Sequence, residues 1–207
     1  MNSATQSLTL TGGAGPIEAL LDLPAGQPRG TAVIAHPHPL FGGTMHNKVV
    51  QTLARAFVQA GWRVLRFNFR GVGASAGVHD EGRGEAQDML ALVQQQAPEG
   101  PLALAGFSFG AFVTTQALAA LAPRQPEKVV LVGTAASRFA VAPIAPELHE
   151  RTLVLHGERD DTVPLASVMD WARPQSLPVT VIPGVEHFFH GQFRCSNRWC
   201  CATSPHL

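Results

Sequence analysis

The stretch PLALAGFSFGAFVTTQALAALAP, residues 101–123, places one serine between two glycines where an apolar run meets an alanine-rich one. The run up to the serine is continuously apolar, which predicts a buried strand, and the part after it is apolar on most sides at helical spacing, which predicts a buried helix. Residues 106–110, GFSFG, thus match G-x-S-x-G at a strand-to-helix junction, where a tight turn lifts the hydroxyl of Ser108 above the sheet. Glycine is expected at both outer positions because larger side chains would collide with neighbouring backbone.

Short apolar runs alternate with helical patterns along the rest of the chain. This alternation predicts an α/β domain with a mostly parallel sheet, because parallel strands need crossover helices. The absence of an internal repeat or low-complexity linker predicts a single domain over residues 1–207. Strands are predicted at residues 17–24, 30–37, 62–69, 128–134, 151–158 and 179–184, and further helices within residues 47–61, 82–98 and 165–174.

Composition limits the classes of partner. The 207 residues include 15 basic and 15 acidic ones, so there is no electrostatic case for nucleic acid or an anionic membrane surface. No apolar run reaches the ~18 residues that span a bilayer, and the N-terminus lacks the pattern of a signal peptide. We therefore expect a soluble, cytoplasmic protein. All three cysteines, Cys195, Cys200 and Cys201, lie near the C-terminus, which indicates reduced thiols rather than a disulfide framework.

A serine hydroxyl needs a base, and the base needs an orienting carboxylate. On a sheet with this turn, the expected chain order is serine, then carboxylate, then histidine, each after a later strand. Residues 151–164, RTLVLHGERDDTVP, place Asp160 and Asp161 beyond one strand, and residues 179–191 place His187 beyond the last. We predict Ser108 as nucleophile, His187 as general base and then acid, and Asp160 as the group that orients His187. Spacing alone leaves Asp161 as an alternative to Asp160, and His190 lies three residues after His187.

An acyl-transfer intermediate carries an oxyanion, which needs backbone N–H donors. We predict one donor at Phe109 and the other at Leu40 or Phe41, in a loop where two glycines permit close approach of the backbone. His36 and His38 precede this loop and suggest a metal site, but a proline follows each of them, which favours a rigid extended segment. We therefore predict no metal and no cofactor.

The motifs GFSFG and HGERDDTVP, together with the late His187, resemble the α/β-hydrolase superfamily. HPHPLFGGTMHNKVV, residues 36–50, and RFNFRGVGASAG, residues 66–77, resemble more specifically the small lidless bacterial serine hydrolases often labelled dienelactone hydrolase-like. This resemblance spans residues 17–193. It implies the α/β-hydrolase fold, with a mostly parallel, doubly wound sheet and helices on both faces. In that family the aspartate of HG-x-x-D is catalytic, which assigns the role to Asp160.

The chain departs from its relatives at three places. Dienelactone hydrolases use a cysteine nucleophile where this chain has Ser108, which argues against that reaction itself. Residues 135–150 are too short for the helical cap that many relatives insert, so we expect an open site with no cap domain. The tail at residues 194–207 has no helical apolar stripe, unlike the terminal helix of the family, and is interpreted as an altered reading frame or a replaced terminus.

The expected function is hydrolysis of a small carboxylic ester or thioester through an acyl-serine intermediate. A peptidase or amidase would need the same triad, and a catalytically silent binding module would keep the fold with a broken triad. The sequence contains no signal for an oligomeric state. An arginine in the glycine-rich segment, Arg70, could bind a substrate carboxylate, but a structural role is favoured.

Overall fold

A single eight-stranded sheet organises the protein in a computed structural model that describes residues 5–190. Its spatial order is β1-β2-β4-β3-β5-β6-β7-β8; β1, β2 and β4 pair antiparallel in turn, and every pairing from β4 to β8 is parallel. The strands are β1 (Thr5–Gly12), β2 (Gly15–Asp22), β3 (Thr31–Ala35), β4 (Arg63–Phe67), β5 (Leu102–Phe107), β6 (Lys128–Val132), β7 (Thr152–Gly157) and β8 (Val179–Ile182).

Helices cover both faces of this sheet. One face carries a core cluster built with helices α2 (Arg83–Gln96), α3 (Phe109–Ala120) and α4 (Leu165–Ala172), and the other carries a cluster built with helix α1 (Lys48–Gln59). Strands β3 and β5 are buried at every position because they lie between the two layers. The structure is the doubly wound α/β-hydrolase fold, as the sequence predicts.

The loop between β6 and β7 contains a 3₁₀ turn at Pro146–Arg151 as its longest regular element. Within residues 5–190 no cap domain covers the carboxyl edge of the sheet, which confirms the expectation of an open site. None of the α-helices in this part of the chain combines the length and apolarity that a bilayer-spanning helix needs.

Strand β1 is absent from the sequence-based prediction. It pairs only with β2 at the edge of the sheet, and its residues are mostly exposed or half-buried. A polar edge strand gives a weak hydrophobic signal because little of its surface faces the core. The predicted atypical tail at residues 194–207, with its three cysteines, lies outside the described residues.

Candidate active site

The turn between β5 and α3 holds Ser108 in a strained backbone conformation. Ser108 has φ 57° and ψ −116°, a region that costs a non-glycine residue about 1–3 kcal/mol. Its N–H donates to the Val132 carbonyl at 2.8 Å, which ties the turn to the neighbouring strand β6. A Cβ on Gly106 would lie 2.2 Å from the Gly110 carbonyl oxygen, and one on Gly110 would lie 2.3 Å from that of Ala35. Both glycines are therefore required by close backbone approach.

Three side chains that are far apart in sequence meet beside this turn. The Ser108 hydroxyl donates to Nε2 of His187 at 3.0 Å, and Nδ1–H of His187 donates to Oδ2 of Asp160 at 2.7 Å. His187 and Asp160 are 2% and 6% exposed, so water does not compete for these bonds. The arrangement leaves the lone pair of Nε2 facing the serine proton, which is the geometry that a general base needs.

Asp160 is fixed by the loop that follows β7. Its Oδ1 accepts hydrogen bonds from the N–H groups of Thr162 and Val163, at 3.1 and 2.7 Å. Its Oδ2 also lies 3.4 Å from Nε2 of His156, a buried histidine whose Nε2–H donates to the Val163 carbonyl at 2.9 Å. The carboxylate thus has a single orientation, with one oxygen held by the backbone and the other aimed at His187.

The neighbouring candidates for these roles point elsewhere. Asp161 is exposed and its Oδ1 accepts a hydrogen bond from the Thr162 hydroxyl at 3.3 Å. His190 is exposed and pairs with Glu186 on the same short segment. The structure therefore brings Asp160 and His187 to Ser108, and places Asp161 and His190 outside this cluster.

Aromatic rings surround the imidazole of His187. The ring of Phe107, in β5, lies 5.0 Å from that of His187, and the ring of Phe188 lies 5.1 Å from it at an interplanar angle of 83°. Phe107 is fully buried, whereas Phe188 is 43% exposed. These contacts restrict rotation of the imidazole, so its two nitrogens stay aligned between Ser108 and Asp160.

The predicted oxyanion donors differ in their hydrogen bonding. Phe109 is the first residue of α3, a position at which helix N–H groups have no intrahelical acceptor. In the loop after β3, the Leu40 N–H donates to Nδ1 of His38 and the Phe41 N–H donates to the His38 carbonyl, each at 3.2 Å. Phe109 therefore presents an N–H that its turn leaves available, whereas the N–H groups of Leu40 and Phe41 both have acceptors within their 3₁₀ turn.

A cavity of about 240 Å³ opens beside Ser108 and His187. Its lining combines four phenylalanines with polar residues and with small or aliphatic ones. Two further cavities, of about 320 and 670 Å³, contain none of the three clustered side chains. The aromatic lining residues are Phe41, Phe109, Phe139 and Phe188.

The sequence analysis assigned no role in a substrate cavity to His38, Arg138 or Phe139, all of which line it. Arg138 belongs to the segment after β6, and the carboxyl ends of parallel strands are where ligands bind in such sheets. The position of Arg138 after a strand is therefore the signal that could have identified it. His156 was also missed, because a histidine inside a strand sequence gives no sign of which carboxylate it will lie beside.

Two other polar residues singled out in the sequence have structural roles. Nδ1–H of the buried His36 donates to the Pro37 carbonyl at 2.6 Å, and its Nε2 accepts from the Phe69 N–H at 3.0 Å. Burial lowers the pKa of His36 to about 4, so the ring is neutral. Arg70 pairs with Asp88, with Nε and Oδ2 2.9 Å apart, which accounts for the raised pKa of Arg70. Among residues 5–190, no three His, Cys, Asp or Glu side chains are grouped to hold a metal ion.

The fold and the serine-centred cluster define the class of this protein as a small α/β serine hydrolase without a lid. The model of the family Hydrolase_4, described as serine aminopeptidase, S33, matches residues 26–151, and the chain belongs to that family. The matched segment contains Ser108 and ends before Asp160 and His187.

Individual relatives agree with this assignment. An uncharacterised protein of Rickettsia prowazekii is 34% identical over 181 residues, covering 76% of this chain and 71% of the relative. The crystal structure of an α/β serine hydrolase without a lid from Xanthomonas campestris is similar over 100% of this chain and 98% of its own, at 36% identity and a TM-score of 0.87. An α/β serine hydrolase homologue from Coxiella burnetii covers 98% of each chain at 32% identity and a TM-score of 0.79.

Proposed function

We propose that this protein hydrolyses carboxylic esters or thioesters through an acyl-serine intermediate on Ser108. The observation that carries the proposal is the hydrogen-bond chain from the Ser108 hydroxyl through His187 to Asp160, at 3.0 and 2.7 Å. The order of these three side chains along the hydrogen-bond chain is the one that nucleophilic acyl transfer requires.

In the first half of the reaction, Ser108 Oγ attacks the carbonyl carbon while its proton passes to Nε2 of His187. The carbonyl oxygen becomes an oxyanion, which the N–H of Phe109 and the positive end of the α3 dipole stabilise. Asp160 stabilises the imidazolium that forms. His187 then returns the proton to the departing oxygen or sulfur, and the bond between this atom and the acyl carbon breaks.

In the second half, a water molecule replaces the departed alcohol or thiol. His187 removes a proton from the water as the water attacks the acyl carbon, and a second oxyanion forms at the same donors. His187 then protonates Ser108 Oγ as the bond between the serine and the acyl group breaks. The carboxylic acid is released, and the hydroxyl and the neutral imidazole are restored.

The cavity favours a substrate with an apolar part next to the carbonyl. Four phenylalanines are among its lining residues, and of these Phe41 and Phe188 are exposed to solvent, whereas Phe109 belongs to the core. Apolar area removed from water contributes about 25 cal/mol per Å². An ester with a longer aliphatic or an aromatic acyl group should therefore bind better here than an acetate ester.

A second candidate activity is cleavage of amides or amino-terminal peptide bonds, which membership of the serine aminopeptidase family favours. An aminopeptidase recognises a free α-ammonium group, and a carboxylate is the side chain that best binds it. The lining of the cavity includes no Asp or Glu side chain and does include Arg138. The positive charge of Arg138 would repel an α-ammonium group, so the cavity favours ester or thioester cleavage over aminopeptidase activity.

A catalytically silent module is the third interpretation. Such a module would gain nothing from the buried alignment of His187, or from the backbone strain at Ser108. Both features cost free energy, and both have a direct use in acyl transfer.

The test combines labelling with a substrate panel. The full chain is treated with a fluorophosphonate, and the adduct is mapped by mass spectrometry; labelling at Ser108 is expected. Initial rates are then measured on p-nitrophenyl esters from acetate to octanoate, with matched thioesters and anilides. Activity on esters that disappears in Ser108→Ala supports the proposal. The matched control is Ser167→Ala, which removes an exposed hydroxyl on α4 that donates to Pro164.

Three results would contradict the proposal. Labelling at a residue other than Ser108 would exclude the nucleophile. Ester turnover that persists in Ser108→Ala would exclude the mechanism. Faster cleavage of amino-acid anilides than of the corresponding esters would favour the peptidase.

A further inference from the structure

Arg138 stands apart among the arginines of residues 5–190 because it lines the cavity at Ser108 and its guanidinium has no hydrogen bond or ion pair within that part of the chain. Its backbone is held in a turn by an N–H bond to the Ala135 carbonyl at 3.2 Å, so the side chain starts from a fixed point after β6. Other arginines pair with carboxylates, namely Arg29, Arg66, Arg70, Arg83 and Arg173.

The acidic groups nearest to the cavity are already engaged. Asp160 lies behind His187, and both of its oxygens accept hydrogen bonds. Asp161 is outside the lining and accepts a bond from the Thr162 hydroxyl. No Asp or Glu side chain in the described part of the chain therefore neutralises Arg138 from inside the cavity.

His38, another basic residue of the cavity wall, does not share this charge. His38 has a lowered pKa, mainly because it is partly buried, and the charges of His79 and Arg138 lower it further. Glu85 acts in the opposite direction, but it is fully buried and bonded to His79 and to backbone N–H groups. The guanidinium of Arg138 is therefore the permanently charged side chain among the lining residues.

This charge lies beside apolar walls. The ring of Phe139, the next residue, is 5.2 Å from that of Phe109 and 6.0 Å from that of His38. Aromatic walls reduce the local dielectric constant, which strengthens attraction between a guanidinium and an anion. A guanidinium also presents paired N–H donors that match the two oxygens of a carboxylate. A single cation suits one negative charge better than the two of a phosphate monoester.

We propose that Arg138 is a specificity-determining residue that binds a carboxylate carried by the substrate, so that the preferred substrates are esters or thioesters with a second, free carboxylate in the acyl part or in the leaving group. The proposal rests on the proposed hydrolase function. It narrows the substrate class from apolar acyl esters to esters that join an apolar segment to an anionic end.

The first experiment measures a ratio of specificity constants on the full chain. The acyl-side pair is the p-nitrophenyl hemiester of adipic acid and p-nitrophenyl hexanoate. The leaving-group pair is the butyrate ester of p-hydroxybenzoate and that of p-hydroxybenzamide. For each pair, kcat/KM of the charged member is divided by that of the neutral one, and the two pairs show which side of the ester bond carries the carboxylate.

The variants isolate the charge of Arg138 from the general charge of the protein. Arg138→Gln removes the charge, Arg138→Lys keeps it without the paired donors, and Arg151→Gln is the control. Arg151 is exposed and precedes β7, at the edge of the sheet opposite the active site, and removing it changes the net charge by the same amount.

In at least one substrate pair, Arg138→Gln is expected to lower the charged-to-neutral ratio of kcat/KM by about fivefold. This is the upper range for the effect of a partly exposed ion pair. Arg138→Lys is expected to fall between the wild type and Arg138→Gln, and Arg151→Gln to keep the wild-type ratio. Raising the ionic strength is expected to reduce the difference between the wild type and Arg138→Gln.

A second readout needs no turnover. Adipate and adipamide are compared for their ability to slow fluorophosphonate labelling at Ser108, and adipate is expected to protect better in the wild type but not in Arg138→Gln. The role of Arg138 would be overturned if Arg138→Gln kept the wild-type ratios of kcat/KM for both substrate pairs and adipate protected it as well as it protects the wild type. If no ester or thioester is cleaved in a Ser108-dependent way, the proposed function fails, and calorimetric titration of adipate into the wild type and into Arg138→Gln then decides whether Arg138 binds a carboxylate.

Discussion

Replacement of Asp160 by asparagine is expected to lower kcat, because the two oxygens of this carboxylate have different hydrogen-bond partners. Oδ1 accepts the N–H groups of Thr162 and Val163, so in Asp160→Asn the amide oxygen is held at that position. The amide NH₂ then occupies the place of Oδ2 and faces Nδ1 of His187, now 2.7 Å from an acceptor. It donates to Nδ1, which forces the imidazole proton onto Nε2 and removes the lone pair that should receive the proton of Ser108.

The expected loss in kcat is about 10⁴-fold, the effect of stabilising the wrong tautomer in a serine triad, or about 5.5 kcal/mol in activation free energy. The fold should survive because the backbone bonds of the loop are kept. Asp160→Ala is a poorer variant, since it leaves two N–H groups without an acceptor at about 1–3 kcal/mol each if they stay buried. Activity is measured on the best p-nitrophenyl ester, and stability by thermal unfolding.

The control is Asp161→Asn, which removes the adjacent exposed charge and is expected to keep wild-type kcat. The labelling rate of Ser108 should fall in Asp160→Asn along with turnover, because both depend on the same base. A loss below tenfold in Asp160→Asn, at an unchanged melting temperature, would refute the reasoning. An equal loss in Asp161→Asn would show that the wrong aspartate has been chosen.

Three further predictions concern stability. Gly110→Ala is expected to destabilise the protein by about 2 kcal/mol, since the added Cβ would lie 2.3 Å from the Ala35 carbonyl oxygen; denaturant unfolding measures this. Arg66→Leu is expected to cost about 3–5 kcal/mol in the same assay, because it leaves the buried Asp22, now 2.7 Å from Arg66, without its partner. His36 should make the free energy of unfolding fall as the pH drops, because its pKa in the folded protein, about 4, lies below the ordinary 6.5. Its contribution to stability is complete above pH 6.5 and declines by about 3 kcal/mol towards pH 4. His36→Gln should flatten this decline in the free energy of unfolding.

Matched variants separate these effects from general damage. Gly13→Ala adds a Cβ whose nearest neighbours would be at 3.7 and 3.8 Å, so it should change stability little. Arg173→Leu breaks an exposed pair with Asp170 and should cost below about 1 kcal/mol. Equal losses in Gly13→Ala and Gly110→Ala, or in Arg173→Leu and Arg66→Leu, would contradict the packing argument or the burial argument. A pH dependence in His36→Gln as steep as in the wild type would assign the decline to other groups.

The parts of the structure that the sequence predicts are those set by local patterns. The buried strand and helix around Ser108 follow from continuous apolar runs, and the glycines at positions 106 and 110 follow from close backbone packing. Asn47 stands directly before the helical pattern, where asparagine favours an N-cap, and its Oδ1 accepts the Val49 N–H at 2.9 Å. The carboxylate and histidine of the site could be expected from their positions after later strands.

Other features depend on contacts that no local pattern specifies. The distance in sequence from the end of β7 cannot distinguish Asp160 from Asp161. Which of the two faces His187 depends on the N–H groups of Thr162 and Val163, which bond to the Asp160 carboxylate and orient it. Likewise, the hydrogen bonds of Leu40 and Phe41 depend on the orientation of the His38 carbonyl and ring, which the composition of a proline-rich loop does not fix.

The site divides along the chain into a part for chemistry and a part for recognition. Ser108, Asp160 and His187 follow β5, β7 and β8, and buried hydrogen bonds fix their positions. The walls that would contact the substrate away from the reacting carbonyl come largely from the loops after β3 and β6, as Phe41 and Arg138 show. These two side chains are exposed, and the hydrogen bonds described above that hold Ser108, His187 and Asp160 together do not include them. In the proposed mechanism, substrate preference can therefore change through the two loops while Ser108, His187 and Asp160 keep their geometry. Because no cap covers the site within residues 5–190, we expect these loops to be the main determinant of specificity.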